Sequence, residues 1–297
     1  MAHRTSARLV DTGRAAGHDS AANTASHGPG HLDDMGASSL SQKRAYRARW
    51  CGRISYLILR PLFMRFYAAR YDTLIGPAEQ AGLARERHNL IGKASGATIE
   101  VGAGTGLNLE HYPPAVTKLV LVEPDPHMRR RLKRRVAKIR RNTEVLNATA
   151  EHLPFSDGSF DTIVVTFTLC SVSDERAALD EITRILAPGG QLLFLEHVRS
   201  MHPRIAARQD ELPFSYRLIG CNPNRDTLQE IESSMLKVES LIRGEVPMAP
   251  EIERPMISGT ARRPQFPREG RASYCGTDTA DPIHPTYLNF ESACTDS

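Results

Sequence analysis

The sequence predicts an α/β fold, a doubly wound, seven-stranded, mostly parallel sheet with helices on both faces in a Rossmann-like arrangement, flanked by disordered termini. Three observations predict it. A short strand, Thr98 to Val101, runs into alternating glycines at Gly102, Gly104 and Gly106. A second strand-like run, Lys118 to Val122, ends on a carboxylate, Glu123, about twenty residues beyond the first, which is the layout of an α/β nucleotide site. Downstream, segments of helical period alternate with strand-like ones.

Each element has a local cause. After a buried parallel strand the chain has to turn sharply into a helix and leave room for a ligand against its backbone, and glycine, with no Cβ and a tolerance of positive φ, permits both. After Glu123, Met128, Leu132, Val136 and Ile139 form one apolar stripe of a helix. Thr143 to Thr149 reads as a third strand. Ala150 to Asp161 reads as a loop, anchored under the sheet by Leu153, Pro154 and Phe155, with turn chemistry at Asp157 and Gly158. The fourth strand, Thr162 to Leu169, is almost continuously apolar, as a strand covered on both faces should be.

Ser173 is placed to cap the next helix, with Asp174 and Glu175 in its first turn. Ala178, Ile182 and Ile185 line that helix's inner face, and Pro188, Gly189 and Gly190 stop it. Gln191 to Val198 is a fifth strand. Arg199 to Ile219 reads as an irregular insertion on the substrate side. Thr227 and Glu230 have capping-box spacing for a helix through Ser234. Lys237 to Glu245 and Ile252 to Ala261 read as a closing antiparallel pair. Ligands of such sheets lie at the carboxyl ends of the strands. Thr168, Leu169, Cys170, Glu196 and His197 are therefore expected to rim the pocket.

The glycine spacing divides two kinds of ligand. Dinucleotide sites read GxGxxG, whereas TIEVGAGTG reads GxGxG with an acid, Glu100, ahead of it. This resembles motif I of the class I S-adenosylmethionine-dependent methyltransferases. The resemblance implies S-adenosylmethionine as cofactor, Glu100 facing its amino-acid end, and Glu123, beside Pro124, accepting both ribose hydroxyls. It also implies that Gly102, Ala103, Gly104 and Gly106 line the donor. AEHLPFSDGSFD is similar to the AExLPFxDxSFD loop of many small-molecule methyltransferases. Where relatives commonly place an Asp on the adenine amine this chain has Thr149, so adenine contact is expected from the backbone of Ala150 or from Glu151.

LEHV at Leu195 to Val198, GCN at Gly220 to Asn222 and the strand ERPMISGTA together resemble the methyltransferase-like protein 7 group of thiol methyltransferases and its bacterial cousins. That resemblance implies, for the animal members, methylation of alkyl thiols and membrane attachment through an N-terminal segment. Ahead of GCN, relatives place bulky aromatics, often Trp, where this chain has Phe214, Ser215 and Tyr216. The expected activity is methyl transfer to a small-molecule acceptor: a thiol, quinone, phenol or lipid-like compound. His197 is the candidate general base for the acceptor's proton, since a thiol is only a few per cent ionised at neutral pH. Two alternatives stand beside it: an RNA-binding methyltransferase or non-catalytic module, and an NAD(P)-dependent oxidoreductase.

Composition bounds the rest. The 297 residues suffice for one such domain with additions, and are read as a disordered tail (1–42), a helical lid or membrane-surface segment (43–96), the donor-binding domain (97–263) and a second disordered tail (264–297). Arg44 to Tyr71 sets Trp50, Ile54, Leu57, Ile58, Leu62, Phe63, Phe66 and Tyr67 among arginines, which suits a lid over the cofactor or an anionic membrane surface, and Pro61 should break or start a helix there. Arg129 to Arg141 is a basic run, read as a solvated face or a patch for RNA or phospholipid. No aromatic-rich groove accompanies it, which argues against single-stranded nucleic acid. The five cysteines have no paired spacing for zinc or disulfides, and His3, His18, His27 and His31 are widely spaced, so no metal is expected. An odd, scattered cysteine set suits a cytoplasmic location, with contact to a membrane periphery as the variant.

Overall fold

A computed structural model describes residues 59–139 and 141–265. The tail expected over 1–42, the tail expected over 264–297 apart from Pro264 and Gln265, and Trp50, Ile54, Leu57 and Ile58 of the expected lid segment lie outside the described residues. The described chain begins in a helix, α1 (59–78), which passes through a wide turn, Glu79–Leu83, into α2 (Ala84–Ile91). The sheet is built from β1 (Gly96–Val101), β2 (Val116–Val122), β3 (Thr143–Leu146), β4 (Phe160–Thr166), β5 (Leu186–His197), β6 (Lys237–Glu245) and β7 (Pro255–Arg262). Between them lie α3 (Pro126–Val136), α4 (Glu175–Ile185), α5 (Pro203–Asp210), α6 (Phe214–Ile219) and α7 (Thr227–Ser233).

The strand order is β3-β2-β1-β4-β5-β7-β6, with β1 through β5 parallel and β7 antiparallel to both of its neighbours. The order reverses at β1, so the crevice at a doubly wound sheet's switch point opens beyond the carboxyl ends of β1 and β4. Side-chain alternation explains the apolar strands. Ile99, Val101, Val120, Val122, Ile163, Val165 and Phe194 pack on one face with Leu179 and Ile182 of α4 and Ile231 of α7. Leu119, Leu121, Val164, Leu193 and Leu195 pack on the other with Leu90 and Ile91 of α2 and Leu132 of α3. Both faces are covered, so successive residues are all apolar.

Local boundaries differ from the sequence reading for identifiable reasons. Asp174, not Ser173, caps α4, its side chain accepting the Ala177 N–H at 3.0 Å, while the Ser173 N–H goes to Glu151. Asp226, not Thr227, caps α7, accepting from the Gln229 N–H at 3.3 Å. In both cases a neighbouring Asp side chain takes the cap. Thr149 lies beyond β3, in a bridge with His152. β4 stops at Thr166 because Phe167 turns to a φ of 53°. Pro188, Gly189 and Gly190 do not stop α4, which has already ended at Ile185, but fall inside β5. The insertion expected to be irregular folds as α5 and α6, with Gly220 in the left-handed conformation ending α6. Pro61 lies within helix, with 59 and 60 already helical.

Candidate cofactor and acceptor site

The glycine turn closes the end of β1 against β2. The N–H groups of Gly102 and Ala103 both donate to Val122 O, at 2.8 and 2.9 Å. Gly102 has a φ of +74°, and a Cβ there would meet Thr168 Oγ1 at 2.4 Å; on Gly104, at a φ of +55°, a Cβ would meet nothing within 4 Å. The turn is thus packed from below at Gly102 and open above at Gly104. Glu123, at the end of β2, accepts the Gly104 N–H at 2.8 Å and the Asp125 N–H at 2.7 Å. Burial pushes its carboxyl up to about 7 against these two bonds. Each carboxylate oxygen keeps a lone pair for a further donor.

Glu100 lies one layer deeper, 1% exposed. It accepts from Asn108 Nδ2 at 2.9 Å and Tyr112 Oη at 2.8 Å, and burial raises its pKa to about 7. Arg87 of α2, only 2% exposed, donates to Asn108 Oδ1 and Thr166 Oγ1 and pairs with Glu79 at 2.9 Å, with its guanidinium 5.4 Å from the centre of the Phe167 ring. A cavity of about 20 Å³, room for one water, lies among Tyr71, Arg87, Glu100, Ala103, Gly104 and Asn108. Asp72 ties α1 to the turn, accepting from Thr105 Oγ1 at 2.6 Å and pairing with Arg131 and Arg135 of α3. Asp72 and Arg87 carry no sequence signal because a charged residue on an amphipathic helix reads as solvated, and Tyr71 and Asn108 belong to no motif.

The basic run has structural work of its own. Arg129 donates to Glu123 O, Pro124 O and Asn147 Oδ1, and Arg141 to Tyr112 O and Pro113 O. Arg130, Lys133 and Arg134 line the open side.

At the other wall, Glu151 turns to the start of α4 and accepts from the N–H groups of Ser173 and Asp174, at 2.8 and 3.3 Å. Ala150 is buried in the core beside Leu153. Thr168 donates to Val101 O at 3.0 Å. Fully buried Glu196 accepts the N–H groups of Thr168, Leu169 and Cys170, holding the turn after β4, and burial pushes its carboxyl up to about 7. His197 leans on the Phe167 ring, and its Nδ1 lies 3.8 Å from both Cys170 Sγ and Cys221 Sγ. Burial alone would lower the His197 pKa, but the Cys170 thiol reverses this and leaves it raised. Cys221 and burial push the Cys170 thiol well above its ordinary range. With Nδ1 turned to the thiols, a base role at His197 has only Nε2 to use. The residues brought to the strand ends are thus Glu100, Glu123, the glycine turn, Thr168, Leu169 and His197; Glu151 is turned away by its own backbone partners, and Thr149 is held in its bridge.

Comparison with known proteins decides the family. Residues 99–194 match the family described as a methyltransferase domain. Human thiol S-methyltransferase TMT1A is 30% identical over 207 residues, covering 66% of this chain and 84% of its own. The chain belongs to the class I S-adenosylmethionine-dependent methyltransferases. It is a small-molecule methyltransferase with S-adenosylmethionine as its cofactor. The ubiquinone/menaquinone biosynthesis C-methyltransferase UbiE of Shewanella sp. (strain W3-18-1) is 34% identical over 147 residues, 46% of this chain and 57% of its own. Among solved structures, a SAM-dependent methyltransferase from Thermotoga maritima has a TM-score of 0.51 at 20% identity, covering 69% of this chain and 99% of its own, a likeness of fold. Among the described residues no helix of the methyltransferase is long and apolar enough to cross a membrane.

Proposed function

We propose that the methyltransferase acts on a small-molecule thiol, binding its donor over the Gly102–Gly106 turn with the acceptor approaching from the side of His197. The observation that carries the acceptor class is the likeness to human TMT1A, which runs through most of that protein, whereas the likeness to UbiE takes in little more than half of the quinone enzyme. Glu123 accepts the ribose hydroxyls, its free lone pairs standing beside the open space at Gly104. Gly102, Ala103, Gly106 and Pro124 shape the floor. Glu100 acts on the amino-acid end through Asn108 and the one-water cavity, because it is buried a layer deeper with Asn108 and Tyr112 packed against its oxygens. Ala150, Thr168 and Leu169 supply backbone and wall at the adenine side, and residues 59–78 act as the lid.

The bound donor supplies an electrophilic methyl carbon and a neutral thioether leaving group. This chain's task is alignment, worth about 7–11 kcal/mol when reactants are well oriented. Phe167 and His197 hold the acceptor end against α1, whose Tyr71 borders the same cavity as Gly104. The test is mass spectrometry of the full chain incubated with methyl-labelled donor and a panel of alkyl thiols, aryl thiols, phenols and prenylated quinols. Labelled thioether is the expected product; label confined to quinol or phenol carbon or oxygen would overturn the thiol reading.

A second reading concerns location and is compatible with the first. Leu59, Leu62, Phe66 and Leu74 stand exposed on one side of α1, with Arg65 and Arg70 beside them. This pattern supports contact with an anionic membrane surface. Sedimentation with phosphatidylserine vesicles, reduced by Phe66→Ser, is expected; no difference between phosphatidylserine and phosphatidylcholine vesicles would remove it.

A further inference from the structure

Two thiols and an imidazole converge where β4, β5 and the turn after α6 meet. Cys170 lies in the turn after β4, His197 closes β5, and Cys221 follows Gly220. The sulfurs are 3.9 Å apart, and each is 3.8 Å from His197 Nδ1. Among the described residues this is the group of His, Cys, Asp or Glu whose ligand atoms gather closely enough to hold a metal. The members are 27 and 24 positions apart in sequence, too far for any spacing motif.

Cys221 Sγ is placed to donate to Cys170 Sγ, but such weak bonds leave the equal approach of both sulfurs to His197 Nδ1 unexplained. An imidazole nitrogen carries either one hydrogen or one lone pair, and thiols are weak donors and acceptors. Nδ1 can therefore serve one thiol well, yet it stands equidistant from two. An ion serves all three. Zinc bonds of about 2.3 Å to sulfur and about 2.0–2.1 Å to nitrogen, at tetrahedral angles, separate the two sulfurs by about 3.8 Å and sulfur from nitrogen by about 3.6 Å. An ion displaced from the plane of the three atoms toward a fourth ligand, as tetrahedral coordination requires, would lie about 2.3–2.4 Å from each, close to the bond lengths of zinc.

We propose that Cys170, His197 and Cys221 are the protein ligands of a divalent ion of the zinc class. Two thiolates and an imidazole suit a borderline-soft cation and not calcium or magnesium, which take oxygen. The supporting shell is in place: Glu196 accepts the Cys170 N–H, and Asn222 donates its backbone N–H to Cys170 O at 2.7 Å and its side-chain amide to the same oxygen at 3.2 Å. No fourth protein ligand joins the group among the described residues, so water or an exogenous ligand completes the shell, as in catalytic zinc sites. A thiol acceptor fits that position, a point that rests on the thiol reading above. As its sulfur coordinates, the thiol's proton passes to solvent and the sulfur remains as thiolate. His197 then acts as ligand, and no general base is needed.

Full-length protein, reduced and stripped with a chelator, is titrated with cobalt(II) as the probe. One cobalt per chain is expected, with near-ultraviolet thiolate charge transfer and the strong visible bands of four-coordinate cobalt, abolished by zinc. Cys170→Ser and Cys221→Ser should each lose about half of the charge-transfer intensity, and the double variant all of it. A Cys51/Cys275/Cys294→Ser triple variant should bind like the parent. Circular dichroism and donor affinity check that each variant is folded. An absent charge-transfer band in folded, reduced protein, or one that survives in the double variant, overturns the site. Loss of the Cys170 and Cys221 thiols to a disulfide on mild oxidation, without cobalt uptake by the reduced form, overturns it in favour of a redox pair. Visible bands that shift with an added alkyl thiol support coordination of the acceptor, and bands indifferent to it overturn that role. Thiol methylation by protein that takes up no cobalt would overturn the metal site and leave the thiol reading standing.

Discussion

The hydroxyl of Thr168 occupies the space that a β-carbon on Gly102 would need, at 2.4 Å, while the same atom on Gly104 would project into open space. Two glycines of one turn thus have separate duties. Gly102→Ala is expected to destabilise the fold by about 2–4 kcal/mol, combining left-handed strain with overpacking against Thr168. Gly104→Ala should cost only the backbone strain, about 1–2 kcal/mol, but weaken donor binding tenfold or more by roughly filling the ligand's seat. Thermal melts and calorimetry separate the two, and unchanged donor affinity in Gly104→Ala would place the donor elsewhere.

Glu123→Gln should weaken donor binding by about 1.5–3 kcal/mol for each charged hydrogen bond lost. Because burial raises the Glu123 pKa to about 7, the carboxylate is present above that pH and neutral below it. Donor affinity of the parent should therefore fall as pH drops through about 7, and the Gln variant should be flatter. A parent whose calorimetric affinity ignores pH in this window would remove Glu123 from the ribose.

Glu100 bears on stability. A native pKa raised to about 7 means that the folded state holds the proton more tightly than the unfolded chain. Its stabilising contribution is complete below the unfolded value of about 4.3, is lost as pH rises through about 7, and changes no further above that. Glu123 and Glu196, raised in the same direction, act with the same sign. Glu100→Gln keeps an acceptor for Tyr112 or Asn108, so urea midpoints at about pH 5.5 and 8 should differ less in the variant than in the parent. Equal slopes would mean that Glu100 stays ionised throughout.

Arg87→Met removes the partner of Glu79, Asn108 and Thr166 from a site 2% exposed. Breaking a buried charged network on one side costs about 3–5 kcal/mol. A loss below about 1 kcal/mol in urea unfolding, the range of a surface pair, would show that the network is slack.

Asp72→Ala tests the lid. The Asp72 pairs with Arg131 and Arg135 are partly exposed, so stability should change by less than about 1 kcal/mol. Donor dissociation in stopped flow should nonetheless accelerate several-fold, since Asp72 is the link from α1 to Thr105. An unaltered rate would mean that α1 does not gate the site.

Much of this was legible because period and spacing are local properties of a chain. The strands buried on both faces, the Met128–Leu132 stripe of α3, the GxGxG turn and the acid closing β2 each announce themselves within a few residues. Where the reading slipped, competition between neighbours was the cause: Asp174 takes the cap of α4 from Ser173, and Asp226 takes that of α7 from Thr227. The meeting of Cys170 and Cys221 gave no spacing signal for a different reason: the turn after α6 folds back onto the turn after β4, where the Asn222 N–H donates to Cys170 O.

By itself, then, the sequence determined the α/β class, the order of elements and the donor-binding motif, because these follow from side-chain period, glycine placement and charge along the chain. The tertiary structure alone decided that Arg87 is buried under the turn, that α1 is tied across it by Asp72, and that two thiols and an imidazole share one point. Such meetings depend on strand order and helix docking, which bring together residues whose separation along the chain carries no signal.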